Sequence, residues 1–366
     1  MSGIPDIRDL SDPVELPQGE KIKEELDKDI HIRDGAATDM ESEILTVKDL
    51  QMYFPVTKGL LKKKVADVKA VDGVSFSIKK GQTLGLVGES GSGKSTIGNC
   101  VMRNIVPTGG KIFFDGQEIT HMDKSGLKVL HKKLQMITQD PYASLDPRMT
   151  INQAILEGPR INRIGTKKEQ EELVERMLTL VGLNAEFKDR YPHEFSGGQR
   201  QRISIARALA MSPSFIVCDE IVSALDVSIQ AQIVGLMMKL QEELKLTYIF
   251  IGHDLSVVRH LSDHVAVLYL GKIAELTTAE EMYDNPLHPY TKALISAVPI
   301  PHPTIDRQRQ RIILEGEVPS PIDPPKGCHF CTRCKYADDR CRREEPLLTD
   351  VGSGHFVACH KTAELN

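Results

Sequence analysis

Residues 83–97 read TLGLVGESGSGKSTI, an apolar run that passes into a glycine-rich turn and then into a helix-like segment. The turn matches the phosphate-binding pattern G-x-x-x-x-G-K-[ST] in full, and it lies in the strand, turn and helix context that this pattern requires. Glycines let backbone N–H groups turn toward phosphates, and the helix N-terminus adds positive potential. We therefore predict that Lys94 binds the β- and γ-phosphates and that Ser95 binds Mg²⁺. The predicted nucleotide-binding turn comprises Gly88, Glu89, Ser90, Gly91, Ser92, Gly93, Lys94, Ser95 and Thr96.

Other short apolar runs predict a parallel sheet around this turn. They read KLQMIT (133–138), FIVCD (215–219) and TYIFIG (247–252), and they alternate with helical patterns. Continuous apolar runs of this length are typical of strands buried on both faces, so we predict an α/β fold. Helical spacing between about 141 and 211 predicts a helical insertion, and VLYLGKIAEL (267–276) predicts a hairpin.

Composition and segment boundaries indicate the domain organisation. Residues 1–42 are acidic, with few aromatic or β-branched residues, so we expect a disordered tail. We predict an ATPase domain over 43–281, in which the basic stretch 57–69 forms a loop, and a C-terminal extension over 282–366.

The chain has 366 residues, a net charge of -5 and 40% hydrophobic residues, the composition of a soluble globular protein. That charge gives no reason to expect a nucleic-acid partner. No apolar run approaches the roughly 18–20 residues that cross a bilayer, and the N-terminus lacks the positive charge of a signal peptide. We expect a cytosolic protein that reaches a membrane only through partners.

Two acidic residues, Asp219 and Glu220, follow the apolar run FIVC. Ligands of such folds bind at the carboxyl ends of parallel strands. We predict that Asp219 holds Mg²⁺ through water and that Glu220 polarises the attacking water.

A second phosphate-sized turn occurs at Ser196, Gly197, Gly198 and Gln199, directly before the helical pattern ISIARALA. One ATP in the first turn cannot also use this second turn of the same chain. The two turns therefore predict a nucleotide site shared between two chains.

Together these motifs resemble the ATP-binding-cassette (ABC) transporter ATPases, whose signature is SGGQ, over about Glu43 to Ala279. The resemblance implies a P-loop NTPase (RecA-like) core with an antiparallel β subdomain and a helical subdomain. It also implies that two ATPases pack head to tail, with each ATP held by the first turn of one and the signature of the other.

The same resemblance assigns further site residues. Gln139 looks like the Q-loop ligand of Mg²⁺ and water, 223–226 like the D-loop, and His253 like the switch histidine at the γ-phosphate. Tyr53 lies where the family places an aromatic ring on adenine, with Phe54 as the alternative. The family often has proline after the catalytic glutamate, and Ile221 stands here instead.

Several stretches narrow the subfamily, including QDPYASLDPRMT (139–150), NPLHPYTKALISAVP (285–299) and GCHFCTRCKYADDRCRREEP (327–346). They resemble the oligopeptide, dipeptide and nickel importer ATPases, in particular the second (F-type) ATP-binding subunit. This implies a paralogous ATPase partner, two transmembrane permease subunits and an extracytoplasmic substrate-binding protein, with the chain at the cytoplasmic face of the cell membrane. Peptides are the expected cargo, with nickel and oligosaccharides as alternatives.

Five cysteines cluster near the C-terminus and point to a local metal site. Cys328, Cys334, Cys341 and Cys359 are separated by five, six and seventeen residues, with Cys331 as an extra. Four thiolates suit zinc or a [4Fe–4S] cluster, and spacing does not separate the two. The family resemblance implies the iron–sulfur cluster, while zinc and unliganded thiols stay open.

Two other classes of function are weaker matches. Soluble cassette ATPases of DNA repair carry insertions inside the core, and ribosomal ones carry two cassettes in one chain. This chain has one cassette with its cysteines outside it. A scaffold that binds nucleotide without hydrolysis is disfavoured because Glu220 and His253 are both present.

Overall fold

The computed structural model describes residues 42–59, 63–140, 144–298 and 311–365. The predicted tail over 1–42 therefore lies outside the described residues, apart from Ser42. The chain forms two compact units, one containing residues 123–248 and the other containing 43–122 and 249–366. Among the described residues, no helix combines the length and the apolar character that crossing a bilayer requires.

The described strands are β1 (Glu43–Lys58), β2 (Lys63–Lys79), β3 (Thr83–Val87), β4 (Gly109–Phe114), β5 (Gln117–Glu118), β6 (Leu134–Ile137), β7 (Phe215–Asp219), β8 (Thr247–Ile251), β9 (His264–Tyr269), β10 (Lys272–Thr278), β11 (Thr349–Asp350) and β12 (Phe356–Val357). The described α-helices are α1 (Lys94–Val101), α2 (Lys124–Lys133), α3 (Ile151–Ile161), α4 (Lys167–Leu180), α5 (Gly197–Leu209), α6 (Val227–Leu244), α7 (Leu255–Leu261), α8 (Ala279–Asp284), α9 (Pro289–Ser296), α10 (Asp339–Arg343) and α11 (Thr362–Leu365).

An antiparallel sheet with the strand order β2-β1-β4-β5 belongs to the 43–122/249–366 unit. Leu45 and Val47 of β1 are buried, as the alternating sequence predicts. The predicted loop over 57–69 is wrong for its described residues, because Thr57 pairs with Lys64 and Lys58 with Lys63 in the β1–β2 ladder. Residues 60–62 lie outside the described residues. Strand β2 is at the edge of the sheet, where lysine side chains remain in solvent and discourage pairing with other chains.

The strand that leads into the glycine-rich turn lies in the second sheet of the same unit. Every residue of β3 is buried, and β3 runs parallel to β9. Strand β9 turns back into antiparallel β10, which confirms the predicted hairpin. Both turn residues have positive φ, 43° at Leu270 and 78° at Gly271, as a tight hairpin turn requires. The C-terminal strands continue outward, giving the order β11-β12-β10-β9-β3 within this unit.

The 123–248 unit contains the parallel pair β6 and β7, which agrees with the parallel strands that the sequence predicts. Helices α3, α4 and α5 pack against one another. Each begins with a side-chain capping box, formed at Thr150, Thr166 and Ser196. Such boxes satisfy two otherwise unpaired N–H groups and so fix where each helix starts. The boundary between the two units falls within β8.

A buried carboxylate ties the C-terminal region to strand β10. Glu275 is fully buried, and its oxygens accept hydrogen bonds from the backbone N–H groups of Leu287 (2.8 Å) and His288 (2.9 Å). The Nε2 atom of His355 lies 2.7 Å from the same carboxylate. Burial raises the pKa of Glu275, but these hydrogen bonds outweigh burial and the pKa is lowered overall. The ionised carboxylate therefore holds three chain segments together.

We expect Glu275→Gln to lower the free energy of unfolding by about 3 kcal/mol, because an amide cannot accept all of these hydrogen bonds. Since the folded pKa is lowered, the contribution of Glu275 is complete above the usual carboxyl pKa of about 4.3 and is lost as pH falls further. Urea unfolding at several pH values measures both effects. Glu280→Gln, at an exposed position of α8, is the control and should cost less than about 1 kcal/mol. Equal losses at the two positions would contradict the assignment.

Candidate functional site

The glycine-rich turn between β3 and α1 has a backbone that only glycine fits. Gly88 has φ 146° and Gly93 has φ 108°. A Cβ atom on Gly88 would lie 2.2 Å from the Leu268 carbonyl oxygen, and one on Gly93 would lie 2.3 Å from the Ala70 carbonyl oxygen. The turn is thus held against the backbones of β9 and β2, at two positions where a side chain has no room.

Lys94 fills the centre of this turn. Its side chain is buried, and its Nζ atom donates hydrogen bonds to the carbonyl oxygens of Gly88 (2.8 Å) and Glu89 (3.0 Å). Ser95 is exposed at the first turn of α1. A fixed ammonium group beside a helix N-terminus concentrates positive charge, which suits a polyphosphate.

Tyr53 lies on β1 and is held from one side. Its hydroxyl donates a short hydrogen bond to Asp72, and the Lys69 Nζ atom lies 5.9 Å from the centre of its ring. Burial, and then the hydrogen bond to Asp72, raise the pKa of Tyr53. Phe54 is more exposed, at 39%, and adjacent strand residues point to opposite faces. The assignment of Tyr53 to adenine stays a prediction.

His253 lies just after β8, at the carboxyl end of that strand, and the glycine-rich turn follows the carboxyl end of β3. The Gly252 N–H donates to the Leu86 carbonyl oxygen at 3.2 Å, which joins the end of β8 to the end of β3. The next residue after His253, Asp254, caps α7 by accepting from the N–H groups of Ser256 and Val257. His253 itself is exposed, so its imidazole can reach a ligand.

In the 123–248 unit, the acidic pair at the end of β7 meets the predicted Q-loop residue. The Gln139 amide donates to a carboxylate oxygen of Glu220 at 2.7 Å. Glu220 has the left-handed φ of 51°, which is uncommon for a residue with a side chain and costs backbone strain. Strain of this kind concentrates at functional sites, and Asp219 immediately precedes it.

The loop after Glu220, which begins at Ile221, is fixed by packing and by local hydrogen bonds. Ile221 is 2% exposed. The Glu220 carbonyl oxygen accepts hydrogen bonds from the N–H (3.1 Å) and the hydroxyl (2.9 Å) of Ser223. A buried side chain and two hydrogen bonds therefore hold this loop without a proline after Glu220. Asp226, the last predicted D-loop residue, caps α6 through the Ile229 N–H.

The second glycine turn lies at the start of α5. Ser196 and Gln199 form the capping box, with the Gln199 N–H donating to the Ser196 hydroxyl at 3.3 Å. A Cβ atom on Gly198 would lie 2.5 Å from the Ile229 side chain, so the turn packs closely on α6. Ser196 is exposed, as a turn that binds a nucleotide of another chain must be.

The five clustered cysteines line one small cavity, together with His288, Phe330 and Tyr336. Burial raises the pKa of the Cys328 thiol to about 12, and the neighbouring thiols add to the effect. Within the described residues, no group of three or more His, Cys, Asp or Glu side chains has an arrangement that could hold a metal ion. The predicted iron–sulfur cluster is therefore not supported by side-chain geometry.

Two contacts to the glycine-rich turn were not foreseen from the sequence. The Glu89 N–H donates to the Tyr290 hydroxyl (2.9 Å), and the Glu89 carboxylate accepts from the guanidinium of Arg333 (2.7 Å). Glu89 and Arg333 are 244 residues apart, and no local pattern links them. The sequence offered one hint of this contact, the position of Arg333 among the clustered cysteines.

Comparison with known proteins places these features in context. The family model described as ABC transporter matches residues 71–223, and the model described as oligopeptide/dipeptide transporter, C-terminal region, matches residues 274–341. Over 321 residues the chain is 56% identical to the oligopeptide transport ATP-binding protein AppF of Bacillus subtilis (strain 168), covering 87% of this chain and 98% of that protein.

Solved structures support the same cassette fold. The ATP-binding cassette MJ0796, determined as a dimer in a post-hydrolysis state bound to ADP and Pi, is 27% identical with a TM-score of 0.57. That match covers 64% of this chain and 98% of MJ0796. The cbiO1 protein of Clostridium perfringens, part of the ABC transporter complex cbiONQ, is 27% identical with a TM-score of 0.58. That match covers 67% of this chain and 92% of cbiO1.

We expect Gly93→Ala to lower the free energy of unfolding by about 3 kcal/mol, since a side chain there combines positive-φ strain with a clash against the Ala70 carbonyl. The matched control is Gly116→Ala, where φ is 77° and no atom lies within 4 Å of the new Cβ. Strain alone should cost about 1 kcal/mol at that position. Urea unfolding of both variants measures the two losses of unfolding free energy. Equal losses would contradict the prediction, because the clash with the Ala70 carbonyl would then cost nothing.

Proposed function

This chain belongs to the ABC transporter family and is an ATPase that uses ATP and Mg²⁺, and from that premise we propose that it powers the import of oligopeptides. The observation that carries the proposal is the match of residues 274–341 to the oligopeptide/dipeptide C-terminal region, downstream of the nucleotide-binding match in the same chain. The name of AppF, an oligopeptide transport ATP-binding protein, supports the same cargo. Import of nickel or an oligosaccharide has no comparable support.

We assign residues 43–281 to the ATPase domain, with its helical subdomain at about 141–211. Residues 282–366 form the C-terminal extension, and the acidic segment 1–42 precedes both. In the described part of the extension, β12 pairs with β10. The extension is thus continuous with the sheet that carries the glycine-rich turn.

The glycine-rich turn 88–96 and Lys94 bind the triphosphate, and Tyr53 stacks on adenine. Ser95, Gln139 and Asp219 would hold Mg²⁺, since hydroxyl, amide and carboxylate oxygens are the hard ligands this ion prefers. Bound Mg²⁺ supplies charge neutralisation at the phosphate oxygens. The turn 196–199, in which Ser196 is exposed, binds the ATP that lies in the turn of a second ATPase.

In the reaction, the Glu220 carboxylate accepts a hydrogen bond from the attacking water and orients it toward the γ-phosphorus. The Gln139 amide donates to the other side of this carboxylate and holds its position. Lys94 and His253 stabilise the charge that develops on the phosphoryl oxygens. Because the left-handed backbone at Glu220 is fixed by Ser223, little reorganisation is needed at the moment of attack.

The proposed partners are those that the family resemblance implies. A paralogous ATPase supplies the second half of each nucleotide site, and two permease subunits form the pathway through the membrane. An extracytoplasmic binding protein delivers the peptide, and this chain acts at the cytoplasmic face. Opening and closing of the two ATPases couples hydrolysis to movement of the permeases.

For the cysteine-lined cavity we propose a metal site formed by Cys328, Cys334, Cys341 and Cys359, with a [4Fe–4S] cluster favoured over zinc. The donors fit in their chemistry, because all four thiols line one cavity and thiolates are ligands of both zinc and iron–sulfur clusters. A cluster there would crosslink the extension. Cys331 lines the same cavity and is left as the extra thiol.

Glu220→Gln should retain Mg-ATP binding and lower kcat by about 10²–10⁴-fold, because an amide orients water but accepts no proton from it. In the assembled transporter, uptake of radiolabelled oligopeptide should fall in parallel. Nucleotide affinity and phosphate release measured on the same preparation separate binding from chemistry. Near-normal turnover of the Glu220→Gln variant would exclude Glu220 as the base. Normal ATP hydrolysis by the unsubstituted transporter without any peptide uptake would exclude the proposed cargo.

Cys334→Ser should lose bound metal, whereas Cys331→Ser should keep it, since only the former belongs to the proposed ligand set. Metal analysis of protein purified without oxygen, together with the visible absorption spectrum, distinguishes an iron–sulfur cluster from zinc. Absence of both metals from the unsubstituted protein would leave five reduced thiols and overturn the site. Equal loss in the two variants would reassign the ligands.

A further inference from the structure

All three polar groups of Glu89 are bound in the structure. Its carbonyl oxygen accepts from Lys94 at 3.0 Å, and its N–H donates to the Tyr290 hydroxyl at 2.9 Å. Its carboxylate accepts two hydrogen bonds from Arg333, at 2.7 and 3.1 Å. Glu89 is the first variable residue of the glycine-rich turn, so these bonds fix the turn where it leaves β3.

The Arg333 contact differs from the surface ion pairs of the same segment. The Arg333 side chain is only 8% exposed, whereas Arg340 and Glu344 are 61% and 62% exposed. A paired fork of guanidinium donors sets the angle of a carboxylate as well as its distance. Exposed pairs contribute little, because solvent screens them and both side chains lose entropy.

An aromatic cluster holds both partners in place. The rings of Tyr269 and Tyr290 are 4.8 Å apart, and the Phe330 ring lies 5.2 Å from the first and 5.3 Å from the second. Arg333 lies over the Tyr269 ring at 5.9 Å. Phe330 and Arg333 both belong to the segment 328–334, and Tyr290 lies on α9. The residues that reach the nucleotide-binding turn therefore come from the C-terminal extension.

We propose that the C-terminal extension is a working part of the nucleotide site, and that Arg333 and Tyr290 are positioning residues that hold Glu89 and thereby the phosphate-binding turn. Neither residue is assigned as a phosphate ligand. Their effect passes through Glu89 to the Gly88 and Glu89 carbonyls that orient the Lys94 ammonium. The inference rests on the nucleotide site proposed above and adds residues that hold its phosphate-binding turn in place.

This arrangement predicts a particular kinetic signature. A turn that is no longer held must be ordered by the nucleotide itself, which weakens binding before chemistry begins. Loss of a positioning residue should therefore raise Kd and KM for ATP and change kcat little. A residue that only stabilised the fold would leave KM unchanged in the fraction of molecules that is folded.

The test uses the full chain and a fluorescent ATP analogue with Mg²⁺. Arg333→Met, which keeps most of the side-chain volume, should raise Kd about tenfold, a loss of ~1.4 kcal/mol. Arg333→Lys restores the charge without the fork and should give an intermediate Kd. Combining Arg333→Met with Glu89→Gln should raise Kd no further than the worse single variant, because both remove one interaction. Arg340→Ala, from the exposed pair, is the matched control and should bind like the unsubstituted protein.

Additive effects of the two substitutions, or an unchanged Kd in Arg333→Met, would overturn the proposal. If thermal unfolding shows that Arg333→Met is not folded, Arg333→Lys is the deciding variant. An unchanged Kd in Arg333→Lys would also overturn the proposal. Lys94→Ala distinguishes failure of the proposed nucleotide site from failure of the positioning role of Arg333. If it abolishes binding while Arg333 variants bind normally, the nucleotide site stands and the positioning role fails, whereas retained binding in Lys94→Ala refutes the site itself.

Discussion

The nucleotide-binding turn depends on the close approach of three stretches of backbone. The carbonyl groups of Leu268 and Ala70 occupy the space that side chains on Gly88 and Gly93 would need. Those carbonyls belong to β9 and β2, so the hairpin strand and the antiparallel sheet together determine the shape of the turn. Glycine here is a requirement of packing as well as of φ.

Within each unit, the candidate site residues are paired in ways that restrict movement. Lys94 is held by the turn's own carbonyls, Glu220 by Gln139 and Ser223, and Tyr53 by Asp72. Each of these side chains has a partner on a different element of its own unit or within its own loop. Pairing of this kind lowers the reorganisation needed when a charged ligand arrives, which is where electrostatic catalysis gains most of its effect.

The sequence predicted the features that depend on local patterns. The strand before Gly88, the parallel pair β6 and β7 and the β9–β10 hairpin are each encoded in a few neighbouring residues. The part of β2 over 63–69 was predicted wrongly because an edge strand needs no buried face, and its lysines removed the apolar alternation that marks a strand. The contact between Glu89 and Arg333 could not be predicted, since it depends on how residues 244 positions apart pack.

The buried Glu275 network and the Arg333 contact have a common consequence for the C-terminal region. Glu275 binds the N–H groups at the start of α9, which carries Tyr290, and His355 binds the same carboxylate just before β12. The extension is therefore anchored on one side to β10 and on the other to the turn at Glu89. Because β10, β9 and β3 are neighbours in one sheet, we expect ordering of the extension to favour ordering of the glycine-rich turn. Nucleotide binding and folding of the C-terminal region should accordingly behave as linked equilibria rather than as independent events.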